Sequence, residues 1–181
     1  MLKKAIRKGL IFLLLLGVIL TVLGPLFVYK IDHRGKLRQG LYNADDSYDV
    51  VLMGSSHMNG GLDPNVLWNR YGITSFNYAT GGQPIDVTYY LLKEVLKKHK
   101  NPVVVMDVFY LGLENPYGES GFTSNVLDNM HFSKNKVDAV LGCTAPEEWV
   151  SFFFPFLKYH FRWSDLSQKD LTYDGLSLIH I

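Results

Sequence analysis

The sequence holds a single cysteine, Cys143, which excludes an internal disulfide. Its six histidines are scattered, and none joins the cysteine at zinc-ligand spacing, so no metal site is expected. An excess of one charge is also missing: 18 Lys and Arg stand against 17 Asp and Glu, interspersed, for a formal net charge of +1. That balance argues against a nucleic-acid-binding protein, which would show a basic face or stripe. The stretch from Gly54 to Gly61 lacks the Gly-Lys-Ser/Thr ending of a P-loop and does not follow G-x-G-x-x-G. No lysine there would reach a phosphate, so nucleotide binding is a distant reading. No internal repeat and no low-complexity tract stands out beyond the N-terminal apolar run.

That run, Gly9 to Tyr29, contains no charged residue and is mostly Leu, Ile, Val and Phe. A helix of about 20 apolar residues crosses the hydrocarbon core of a bilayer, so the run is long enough. Lys3, Lys4, Arg7 and Lys8 precede it. A cleaved signal peptide would carry a shorter apolar region and a small-residue cleavage site. Here the run ends Pro25-Leu26-Phe27-Val28-Tyr29-Lys30, without such a site. The expectation is an uncleaved signal anchor at 9–29 after a cytoplasmic basic tail at 1–8, with the lipid bilayer as its partner. Pro25 lies near the far end, where a lost backbone hydrogen bond is best tolerated. Lys30, Arg34, Lys36 and Arg38 follow, so the positive-inside rule gives little bias. An outside domain is favoured on other grounds: large downstream domains translocate largely regardless of local charge, and a soluble cytosolic enzyme rarely needs a spanning anchor. The expected location is the cell membrane, single-pass, with the domain on the extracytoplasmic side.

A juxtamembrane linker at 30–44 leads into roughly 135 residues, room for one domain. Tyr48 to Met53 reads as a buried first strand. Asp63-Pro64 opens a short helix, since Asp is a favoured N-cap and Pro suits the first helical position. Leu67 and Tyr71, four apart, should share its inner face, and Gly72 should end it. Ser75 to Ala79 reads as a second strand, followed by the tight loop Thr80-Gly81-Gly82-Gln83. From Pro84 to about Lys98 the spacing predicts a helix with Ile85, Thr88, Leu92, Val95 and Leu96 inward. Pro102 to Val108 is a nearly continuous apolar run, the pattern of a strand covered on both faces. Strand, helix, strand, helix, strand at this spacing means an α/β fold with a parallel sheet and right-handed crossovers. Beyond Tyr110 the pattern is weaker. Ser133 should cap a helix through Leu141, and Thr144 to Glu148 reads as another helix start. The aromatic stretch Trp149 to Trp163 reads as core helix broken at Pro155 in preference to a sugar-stacking or membrane-facing surface.

The functional signal is Val50-Val51-Leu52-Met53-Gly54-Ser55-Ser56-His57. A buried strand stops at two small hydroxyl residues, at the carboxyl end of a parallel strand, where open α/β sheets bind ligands. A serine there is exposed, rigidly aimed and close to backbone N–H groups, the conditions for a nucleophile. A plainer alternative stays open, that small residues merely make a tight turn.

Gly54-Ser55-Ser56 after a buried first strand resembles the first block of the SGNH (GDSL-type) hydrolases, with Ser55 in place of the usual Asp. The resemblance implies Ser56 as nucleophile. Asn77-Tyr78-Ala79-Thr80-Gly81-Gly82 resembles the second block, whose glycine N–H helps form the oxyanion hole; Gly82 fits best, with Gly81 one position away. The similarity spans roughly Tyr48 to Tyr110. It is strongest to the membrane-anchored, Gly-Ser-Ser-containing bacterial branch that includes envelope acylation proteins of the D-alanine-transfer and alginate-acetylation kind. It implies a three-layer parallel sheet of flavodoxin-like SGNH hydrolase type behind one transmembrane helix. It also implies ester hydrolysis or O-acyl transfer on acylated envelope glycans or glycolipids, with no cofactor. Serine chemistry of this kind needs a nucleophilic oxygen, a base for its proton and donors for the developing oxyanion.

Two departures keep a second reading open, a non-catalytic anchored protein with a degenerate SGNH fold. The family's third block carries Gly-x-Asn-Asp, whereas the third strand here ends Met106-Asp107-Val108-Phe109-Tyr110. Its last block is a C-terminal Asp-x-x-His that supplies the base. Asp128-Asn129-Met130-His131 has that spacing but comes early in the chain, so the base is expected to be absent and His131 is a weak candidate. His57 is expected to shape the pocket and His160 to be structural. Three convincing strands are fewer than the about five such folds carry, so the domain at 45–175 is expected to be incomplete. Leu176 to Ile181 coincides with one translated frame of a transposon end used in sequencing libraries. Residues 176–181, His180 included, are therefore expected to be a non-native tail.

Overall fold

The computed structural model describes residues 2–30, 32–42, 47–112 and 118–171. The 176–181 tail and the last residues of the expected domain lie outside them. The N-terminal run forms one helix, α1 (Leu2–Phe27), with Pro25 in its last turn. Its 18-residue window has a mean hydropathy of 2.8, and only 11% of that window is covered by the rest of the protein. It is long and apolar enough to cross a membrane, and its leucines and isoleucines from Leu2 to Ile19 are exposed.

Residues 32–42 are not a bare connector. They form α2 (Asp32–Tyr42), whose Leu37 and Leu41 are buried in the main core. Gly40 lets this helix approach the sheet: a Cβ there would stand 2.4 Å from the Phe76 ring. The adjacent Tyr78 hydroxyl donates to the Gly40 carbonyl at 2.9 Å and meets His99 Nε2 at 2.7 Å.

Three parallel strands follow: β1 (Val50–Met53), β2 (Ser75–Asn77) and β3 (Val103–Met106), in the spatial order β2-β1-β3. Val51 lies opposite Phe76 on one side and Val104 on the other. The pairing runs on past the strand ends. The Tyr78 N–H donates to the Leu52 carbonyl, Thr80 N–H to Gly54, and Asp107 N–H to Met53. These bonds hold both neighbouring loops against the end of β1.

The chain leaves β1 through Gly54 and Ser55 into a short helix, α3 (Ser56–Gly61). Then comes α4 (Pro64–Tyr71), with Asp63 accepting from the Asn65 N–H at 2.9 Å and Gly72 closing it in the left-handed region at φ +66°. Leu67 is half-buried as expected, but Tyr71 is exposed. The long crossover helix α5 (Ile85–Lys98) buries Val87, Thr88, Leu91, Glu94 and Val95. Its inner face is therefore turned from the expected one: Leu96 is exposed, while Glu94 is covered and pairs with Lys97 and Asn135. Those two polar partners let a carboxylate replace the expected leucine on the inner side.

After a 3-10 turn (Phe109–Gly112) the chain forms α6 (Ser120–Leu127) and α7 (Lys134–Cys143). Ser133 caps α7, accepting from the Lys136 N–H at 3.2 Å. A 3-10 turn (Pro146–Glu148), α8 (Trp149–Phe153), α9 (Phe156–Tyr159), a second 3-10 turn (His160–Ser164) and α10 (Gln168–Leu171) complete the described chain. Pro155 separates α8 from α9 at the expected break.

Side chains alternate across β1. Val51 and Met53 point into the main core with α2, α5, α6 and α7; Leu52 points the other way, onto Met58 of α3 and Ala79. β3 departs from the expectation of a doubly covered strand, because Val103, Val104 and Val105 are all exposed. An apolar run encodes tolerance of burial on both faces, and of this strand only Met106 packs against the main core.

Candidate functional site at the carboxyl end of the central strand

Ser55 and Ser56 are neighbours in sequence and opposites in environment. Ser55 is 1% exposed. It is the N-cap of α3: its hydroxyl accepts from the His57 N–H and donates to the Asp107 carboxylate in a very short hydrogen bond. Its own N–H also points at that carboxylate, at 3.3 Å. Ser56, one residue on, is exposed at the first helical position. Its hydroxyl takes part in no hydrogen bond among the described residues, and is free to meet an incoming group.

Gly54 makes this arrangement possible. Its φ is +132°, and an added Cβ would stand 2.5 Å from the Cβ of Asp107. Only a bare backbone lets the end of β3 come this close. Asp107 was noted in sequence only as the place where an asparagine is missing. Its carboxylate ties β3 to the Ser55 cap and accepts from the Phe109 N–H at 2.9 Å. The Ser55 hydroxyl, then the Phe109 and Ser55 N–H groups and nearby His57, hold its pKa below the usual carboxylate value. One sequence signal could have found it: an Asp directly after a buried strand, at the ligand-binding end of the sheet.

His57 is largely exposed. Its Nδ1 stands 3.2 Å from the Ser55 hydroxyl and 3.6 Å from Asp107, and its ring packs edge-on against Phe109. The imidazole therefore braces the Ser55–Asp107 pair; among the described residues no hydrogen bond joins it to the Ser56 hydroxyl.

The glycine loop lies beside this cluster, held by the Thr80 N–H on the Gly54 carbonyl at 3.2 Å. Gly82 is buried, with φ +61°, and an added Cβ would stand 2.4 Å from the Phe122 ring. A buried polar chain fixes the loop. Thr80 donates to Gln83 Oε1 at 3.0 Å, Gln83 donates to Thr88 at 2.8 Å, and Thr88 donates to the Pro84 carbonyl at 2.8 Å. No backbone carbonyl among the described residues takes the Gly81 or Gly82 N–H. Asn77 braces the Ser56 helix, α3, from β2. Its amide donates to the Met58 and Leu62 carbonyls at 3.0 and 3.3 Å, while its oxygen accepts from Ala79 N–H. Sequence reasoning placed Asn77 in the second block but assigned it no such bracing role.

His131 sits elsewhere. Its ring stacks on Tyr42 of α2 at 3.6 Å, and Arg38 Nη2 lies 3.3 Å from its Nε2. Helix α2 covers the Val51–Met53 side of the sheet, whereas Met58 of α3 packs on the Leu52 side. Desolvation, then the charges of Arg38 and Lys136, lower the pKa of His131, which makes it a weaker base. Its expected partner Asp128 is buried and committed to Lys158 at 2.8 Å and the Tyr159 hydroxyl at 2.7 Å. The Asp-x-x-His spacing thus yields no acid–base pair. His160 is exposed, with Nδ1 3.1 Å from the Leu157 carbonyl of its own segment. Among the described residues no cluster of His, Cys, Asp or Glu is grouped to hold a metal ion.

The chain matches no known family model, no curated protein and no solved structure.

Proposed function

We propose that this protein is a membrane-anchored, SGNH-like serine esterase or O-acyltransferase. It acts on acyl groups of cell-envelope glycans or glycolipids, with its domain on the extracytoplasmic side of the membrane. The observation that carries the reading is the division of labour between the two serines. Ser55 is consumed by the cap and Asp107, which leaves Ser56 as the exposed hydroxyl at the end of the central strand. The strand order β2-β1-β3 supports it, being the first three strands of the flavodoxin-like order.

The Ser56 hydroxyl attacks the ester carbonyl and passes its proton to a base. The Gly82 N–H steadies the oxyanion, with Gly81 the neighbouring donor. Collapse expels the alcohol, which takes up the proton, and leaves the acyl group on Ser56. Water or a sugar hydroxyl then removes it. The spanning helix α1 holds this chemistry at the bilayer surface.

One observation favours a second reading. Among the described residues no imidazole contacts the Ser56 hydroxyl, since His57 is turned to Ser55 and His131 lies across the sheet. That pattern also suits an anchored protein that kept the sheet and lost the chemistry. Hydrolysis of a chromogenic acetyl ester by the complete protein, wild type against Ser56→Ala, separates the two. A loss of nearly all activity in the variant is expected; equal rates remove Ser56 from any mechanism. External protease on intact cells should digest the domain, and protection until lysis reverses the orientation.

A further inference from the structure

The last turn of α1 is not free. Gly24, Phe27 and Val28 are buried. Pro155 fits against Gly24, where an added Cβ would meet the proline ring at 3.4 Å. Phe156 packs edge-on to Phe27 at 4.9 Å. The Arg162 guanidinium donates to the Phe27 carbonyl, lies 4.0 Å over the Tyr29 ring, and pairs with Asp170 at 3.0 Å. Lys30 donates to the Asp170 carbonyl. The helix and residues 155–170 therefore form one packed joint, with its cations neutralised or stacked.

This joint fixes a depth. At about 1.5 Å per residue the apolar run 9–29 spans about 31 Å, close to the thickness of a bilayer core. Gly24 lies five residues before Tyr29, so Pro155 touches the helix about 7 Å inside that boundary, and Phe156 about 3 Å inside. Yet the neighbouring apolar side chains are uncovered: Leu157 beside Phe156, and Phe161 and Trp163 on either side of Arg162, are 45%, 55% and 74% exposed. An apolar and aromatic set with Lys and Arg among it, at the level where a spanning helix leaves the core, matches the composition of membrane–water interfaces. Apolar residues left open to water at that depth have one adjacent phase to enter.

We propose that residues 154–163 form a second membrane contact, with Leu157, Phe161 and Trp163 seated in the headgroup–acyl boundary beside the emerging α1. The domain then lies against the bilayer in a fixed orientation, not on a loose tether. The expected core role of this aromatic stretch holds for Phe152, which is fully buried, and gives way at Phe161 and Trp163.

This inference rests on α1 spanning the membrane, and the test keeps the two apart. The full chain is reconstituted in phosphatidylcholine vesicles, with or without bromine on the acyl chains near the headgroups. In a Trp68→Phe/Trp149→Phe variant, Trp163 is the only emitter. It should lose most of its emission to brominated lipid and be shielded from aqueous iodide. In a Trp149→Phe/Trp163→Phe variant, Trp68 on α4 should show the reverse. Leu15→Trp, in a background with all three tryptophans changed to Phe, reports the anchor. Circular dichroism verifies that each variant is folded. Quenching of Leu15→Trp without quenching of Trp163 overturns the second contact and leaves the anchor standing. Quenching of neither overturns both. Trp163 shielded from both bromine and iodide means a protein covers this surface, and also overturns the inference.

Discussion

The two faces of the sheet are built to different standards. On one, Val51 and Met53 are sealed by α2, α5, α6 and α7, with Leu91, Leu127 and Phe152 fully covered. On the other, Leu52, Met58 and Ala79 make a small cluster, and Val103 and Val105 of β3, in register with Val50 and Leu52, are exposed. The Ser56 helix belongs to the thin face. Stability is concentrated on one side and the candidate chemistry on the other, a separation that lets a site stay open without loosening the core.

That contrast can be broken most sharply by truncating one apolar side chain from the sealed core and one from the exposed strand. Phe152→Ala should cost about 3–5 kcal/mol, because it empties a closed site. Val105→Ala on exposed β3 should stay within about 0.5 kcal/mol. Urea unfolding of the detergent-solubilised full chain measures both. Similar losses would mean that the thin face is covered and the contrast false.

The site's own backbone gives the next largest effect. Gly82→Ala puts a side chain on a backbone at φ +61° and drives its Cβ to within 2.4 Å of Phe122. A loss of about 1–3 kcal/mol in the same unfolding experiment is expected, with ester hydrolysis falling as the loop's N–H moves. Wild-type stability with lost activity would confine Gly82 to the chemistry alone.

The smallest effect concerns Asp107 and is read against pH. Its pKa is lowered in the fold from the usual 3.8. The Ser55–Asp107 contribution is therefore fully present above the unfolded value and is lost as pH falls through the folded one. Wild type should be more stable than Asp107→Asn at neutral pH, and the gap should narrow below pH 3.8. A gap independent of pH would show that the carboxylate charge contributes nothing to the cap.

Much of the frame is legible locally. The punctuation around α4 is written in three residues: Asp63 caps it, Pro64 starts it, and Gly72 ends it. Other elements carry weaker marks. Helix α2 is basic and mostly polar, and its buried pair Leu37 and Leu41 is too small a signal to separate it from a linker. The inner face of α5 differs from its apolar spacing because Glu94 is buried through partners outside its own turn, above all Asn135 on α7. Asp128 and His131 show the reverse failure. Their spacing suggests a catalytic pair, but each is bound to a different helix.

Sequence alone determined what depends on neighbouring residues: the apolar length of α1, the three-strand parallel α/β pattern, the helix caps, and the place where β1 ends in two serines. Those features follow from residue preferences and periodicity, which act over a few positions. The tertiary structure decided which serine is free, because that depends on Asp107, 52 positions away, reaching Ser55 across a glycine. It also decided which valines and aromatics are covered. Burial is a property of what packs on top, and an apolar side chain carries no record of its neighbour.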